Sequence, residues 1–154
     1  MPSDNVTPFR RPPRRVQKRQ QEGLGLKTHR GKAMLVQLLA IAAFALNLVF
    51  PTPPESYIGM AVAIGGFALA YANRYTGMPW AMTHHEHAVR TLMIGYAIWT
   101  IASLLTLIYP ADFLHLTTIY IQIAVSIWAL IRGVIGFVLA AMRRPIPHPR
   151  GILI

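Results

Sequence analysis

The chain has no cysteine, so disulfides, thiolate metal sites and cysteine nucleophiles are excluded. Charge is also scarce: 13% of residues are charged, where soluble domains carry about 25%. Acids are the scarcest of all, with 5 Asp and Glu against 15 Lys and Arg. Asp4, Glu22, Glu55, Glu86 and Asp112 are too far apart in sequence to form a carboxylate pair. There is no glycine-rich phosphate loop and no catalytic-triad spacing. The parts needed for hydrolysis or phosphoryl transfer are missing, as are the buried acids of an ion pump. The expectation is a protein that is not an enzyme, with no catalytic residue, no metal and no cofactor.

What the chain has instead is apolar length. Of its 154 residues, 54% are hydrophobic, in four runs at 33–50, 54–73, 88–109 and 113–142. A membrane-spanning helix needs roughly 20 residues. The loops at 51–56 and 110–112 carry only Glu55 and Asp112, with no Lys or Arg. All but one of the basic residues lie in the two tails, in the middle loop or beside them, and the exception is Arg132. Basic residues concentrate on the cytoplasmic side of a membrane. The pattern therefore predicts an all-α integral membrane protein of the bacterial inner (plasma) membrane, with four transmembrane helices and both termini cytoplasmic.

Residues 1–32 are rich in Arg, Pro and Gln, and the prolines and like charges oppose a helix. They read as a disordered basic cytoplasmic tail, 33–142 as the four-helix domain, and 143–154 as a Pro/Arg-rich cytoplasmic tail held extended by Pro145, Pro147 and Pro149. The net charge of +10 is concentrated beside the first span. It predicts attraction to anionic phospholipid headgroups of the lipid bilayer rather than to nucleic acid. Ala43-Phe44-Ala45 has the form of a signal cleavage site, but the apolar run continues through Phe50, so an uncleaved span is expected.

Two features carry possible chemistry. His84, His85, Glu86, His87 and Arg90 cluster before the third span. On a helix His84 and His87 share a face and His85 does not, and no third ligand is supplied from another element. The expected reading is a loop, 76–87, at the headgroups, whose polar residues cap the third helix; the alternatives are a pH-sensitive contact or a metal site. Arg132 lies within the fourth span, where a charge is costly and suggests function by default. It is expected to face protein or headgroups, with Glu86 as the nearest plausible carboxylate; helix-end carbonyls, a lipid headgroup and transport coupling are the alternatives. Gly59, Gly65 and Gly66 in the second span, and Gly133 and Gly136 beside Arg132, are expected to let helices approach closely.

Some of these residues also resemble a known pattern. His84, followed six residues later by Arg90-Thr91, matches one stretch of it, with Leu92 and Met93 where aromatics stand in the pattern. Trp128, Arg132 and Gly136 at spacings of four, and the ending Pro145-Ile146-Pro147-His148-Pro149, match another. Together they resemble a group of small bacterial four-helix membrane proteins, distantly similar to the small channel-forming subunit of the chloroplast inner-envelope import translocon. That resemblance implies the fold, and a translocation channel as one possible activity. The reading as a whole favours an accessory or interaction subunit of a larger membrane assembly with a membrane-protein partner. A transport or protein-translocation component is the first alternative, and a metal-dependent membrane enzyme using the histidines is the second.

Overall fold

A computed structural model describes residue 25 and residues 27–51 and 56–152. Of the expected disordered tail at 1–32, residues 1–24 and 26 lie outside the described residues, as do Pro54 and Glu55 at the start of the second span, while 29–32 are helical and not disordered. The fold is all-helical: α1 His29–Val49, α2 Ser56–Asn73, α3 Pro79–Ile108 and α4 Asp112–Ala141. All four are long and apolar enough to cross a membrane, and no strand occurs among the described residues.

Helix α1 begins four residues before the apolar run. Thr28 is extended at φ −88° and its side chain accepts from the Gly31 N–H, giving one of the free first-turn donors a partner. The largest departure from expectation is at α3. The stretch 76–87 is not a loop throughout, because α3 starts at Pro79. Proline is well placed at a first helical position, since its missing N–H would have no intrahelical partner, and it holds Met78 extended at ψ 140°. The whole histidine cluster is therefore helical.

The helices form a ring in chain order, with α1 also touching α3 across the middle. Ala33, Val36, Gln37, Ala40, Phe44 and Asn47 recur on α1 at helical spacing and are all buried. Glycines of its neighbours face it. A Cβ on Gly66 of α2 would lie 3.1 Å from Leu39 Cβ, and on α4 one on Gly133 would lie 2.7 Å from Ile41 and one on Gly136 2.6 Å from Gln37. Gly59 faces Asn47, and Gly95 of α3, not singled out from sequence, faces Phe44. Gly65 departs from expectation: nothing lies within 4 Å of a Cβ built there. It is adjacent to Gly66 but about 100° around the helix, so it points off the packed face.

The bundle is flush at one end only. At the end where α1 starts, Lys32 Nζ donates to Asn73 Oδ1 at 3.0 Å, Arg30 donates to the Ala141 carbonyl at 2.7 Å, and His84 of α3 lies 2.8 Å from the Arg144 carbonyl just past α4, so all four helices meet there. At the other end, Asn47 Nδ2 donates to Tyr96 Oη at 2.8 Å, and Tyr96 donates to the Gly59 carbonyl at 3.1 Å. Past that level α1 has two residues left and α3 has twelve. The α3–α4 hairpin thus overhangs by about 15 Å. Its strands of contact are polar: Thr118 donates to the Ala102 carbonyl at 3.1 Å and meets Thr106, and Gln122 donates to Ser103 at 3.1 Å. Its outside is apolar and open, as at Leu107 and Phe113.

Candidate functional site

The site expected at a headgroup-facing loop is instead inside the flush end of the bundle. His84, His85 and His87 are at most 1% exposed. Placing them on α3 brings His84 and His87 to partners from other chain segments. Gln37 Nε2 donates to the His84 carbonyl at 3.0 Å and lies 3.5 Å from His87 Nδ1. His84 Nε2 lies 2.8 Å from the Arg144 carbonyl, which only accepts, so Nε2 carries the proton. The Trp80 ring meets His84 edge-on at 5.9 Å. The Nδ1 atoms of His84 and His85 are buried without a hydrogen-bond partner among the described residues.

Arg132 is 2% exposed. Its Nε donates to Thr91 Oγ1 at 3.1 Å, and its Nη1 donates to the carbonyls of Gly151 at 2.9 Å and Ile152 at 2.6 Å. The guanidinium sits 5.1 Å from the Trp128 ring centroid, and Trp128 Nε1 also donates to Ile152 O. Glu86 is not its counter-charge: that carboxylate binds Arg90 at 3.0 Å, one helical turn away, and Arg150 at 3.9 Å. The depth of the two helices explains the difference. Glu86 lies near the rim at the start of α3, whereas Thr91 is level with Arg132. A buried cation is thus held by acceptors alone, and its Nη2 has no partner among the described residues.

Those acceptors come from a segment expected to trail away as an extended tail. Residues 143–152 fold back as a strap across α3 and α4. Ile146 is 2% exposed, and its N–H donates to Thr83 Oγ1 at 3.0 Å. The strap is pinned near Arg144 by His84, at Ile146 by Thr83, and at its far end by Arg132. Ile146 is a lone large apolar residue among prolines, and Arg132 is a cation in need of acceptors. Those two were the sequence signals for the docking.

The chain matches no family model, no curated protein and no solved structure.

The chemistry open to the cluster therefore follows from its geometry alone. Among the described residues no three His, Asp or Glu side chains come together as a metal-ligand set. The imidazole of His84 is committed to a strap carbonyl, and Arg132 to two more. The arrangement clamps a chain segment.

Proposed function

We propose that the protein is a non-enzymatic, multi-pass protein of the bacterial inner membrane, with both termini in the cytoplasm, acting as an accessory or interaction subunit of a larger membrane assembly. The observation that carries this reading is the overhanging α3–α4 hairpin. Where α1 and α2 stop, two helices continue with large apolar side chains open on their outer faces and a hydrogen-bonded polar seam between them. Membrane helices associate through packing and interhelical hydrogen bonds, and a paired hairpin without its other two helices offers surface to a neighbour. The polar centre supports the same reading, because His84 Nε2 and Arg132 Nη1 are engaged by carbonyls of the strap. The basic residues of the flush end, Arg30, Lys32, Arg74, Arg143 and Arg144, support a cytoplasmic placement of that end. A photo-crosslinking residue at Leu107 or Phe113, followed by mass spectrometry of purified adducts, should give one protein partner in fixed ratio. Adducts with lipid only at both positions would remove the interaction reading.

A further inference from the structure

At the flush end, His29, Arg30, Met78, Trp80 and Arg143 enclose a cavity of about 100 Å³. Two arginines and a histidine line it, and no acidic residue does. Other cations of this end are engaged: Lys32 with Asn73, and Arg74 over the rings of Tyr71 and Tyr75 at 3.8 and 4.6 Å. Arg30 is half committed. Its Nη2 holds the Ala141 carbonyl, while its Nε is shut away from solvent with no acceptor among the described residues. Arg143 pairs with no carboxylate among the described residues. It is also the one described residue other than glycine with positive φ, at 57°. It sits where α4 reverses, with its N–H on the Ala140 carbonyl and the next on Leu139. That position favours glycine, since an L side chain there strains the backbone. Here that conformation belongs to a residue that lines the cavity.

We propose that this cavity binds the phosphate group of a membrane phospholipid. A forked guanidinium matches a tetrahedral oxyanion with paired, charge-assisted hydrogen bonds, and two arginines line this cavity. The lipid origin follows from what lies below. Ile127, Ile131, Val134 and Val138 of α4, with Met142 just past its end, form an exposed apolar stripe at spacings of three and four, ending beside Arg143. An acyl chain lying along that stripe brings its headgroup to the cavity, and Trp80 at the rim suits the interface. This inference rests on the membrane reading of the fold.

The test uses the full chain in an uncharged detergent, with native mass spectrometry and thermal unfolding against phosphatidylglycerol, diacylglycerol and inorganic phosphate. Phosphatidylglycerol should bind, and the lipid without phosphate and the phosphate without lipid should each bind about 10-fold or more weakly. Arg143→Gly should weaken phosphatidylglycerol by about 10-fold or more, the worth of one charge-assisted contact, while leaving the lipid-free midpoint unchanged or raised. Arg30→Gln should weaken it similarly; should that variant misfold, Arg143→Gly decides. Arg74→Gln, a cation of the same end that does not line the cavity, should bind as the parent does. Equal binding by Arg143→Gly, or an equal loss in Arg74→Gln, overturns the site. Inorganic phosphate binding as tightly as phosphatidylglycerol overturns the lipid source. A chain that stays dispersed without detergent refutes the membrane reading, whatever the binding arms give.

Discussion

Replacing Arg132 with leucine should release the far end of the strap and leave its near end in place. Arg132 makes two charge-assisted bonds to the strap, to Gly151 O and Ile152 O. Each such bond contributes about 1.5–3 kcal/mol. The freed carbonyls regain water when the strap lifts, and leucine removes a buried cation that lacks a counter-charge, which is itself costly. We therefore take the lower half of the range, about 3 kcal/mol for the pair, or roughly a 100-fold rise in strap opening. The near end keeps the Arg144 carbonyl on His84, the Ile146 N–H on Thr83 and the buried Ile146 side chain; the last contributes about 1.5–3 kcal/mol alone. Hydrogen exchange read by mass spectrometry should thus accelerate at Gly151, whose N–H is held on the His148 carbonyl, and stay slow at Ile146. Arg132→Lys should fall between, because one ammonium cannot reach Thr91 and both carbonyls in the fork geometry. Unchanged exchange at Gly151 in Arg132→Leu would show that the clamp does not hold the strap.

Gly136→Val, which drives side-chain atoms into the pinned Gln37 amide, should lower stability by about 1–3 kcal/mol in detergent unfolding. Gly65→Ala, facing open space, should be neutral or stabilise by up to about 1 kcal/mol; a reversed order of these two variants would contradict the packing described for α1. Reporter fusions at Thr52 and Ala111 should mark the periplasm and one after Ile154 the cytoplasm, and a periplasmic C-terminus would refute the topology. Elemental analysis of the purified protein should find no stoichiometric zinc, iron or copper; metal retained by the parent and lost in His84→Ala and His87→Ala would reverse that reading of the cluster.

The helices were legible because length and apolarity decide them. The fourth, expected over 113–142, runs Asp112–Ala141. The start of α3 was not, because Thr83, His84, His85, Glu86 and His87 are polar enough to resemble a loop. Thr83, His84 and His87 find partners in the strap and in Gln37, and partners from distant segments leave no local periodicity. Pro79 was the readable signal for the helix start. Arg132 was recognisable as a buried charge in need of partners, but their identity was not, since carbonyls look alike in every residue. Adjacent Gly65 and Gly66 show the same limit: composition marks both as small, and only the rotation of α2 about its axis separates them.

The unequal helix lengths have a consequence for the surrounding lipid. Helices α1 and α2, at 21 and 18 residues, measure about 32 and 27 Å, while α3 and α4, at 30 each, measure about 45 Å. The first turns of α3 are polar, and its apolar part, 88–108, measures about 32 Å, close to a 30 Å hydrocarbon core. Helix α4 is apolar almost throughout, and fitting its 45 Å by tilt alone would need roughly 48°, beyond the range of about 0–40° seen for membrane helices. In a bilayer the protein would therefore be over-long at α4 alone, and lipids beside α4 would stretch while those beside the other helices would not, giving the perimeter a gradient of membrane thickness. Mismatch costs fractions of a kcal/mol per Å, enough to bias which flank a neighbouring protein meets first, before any side chain touches it.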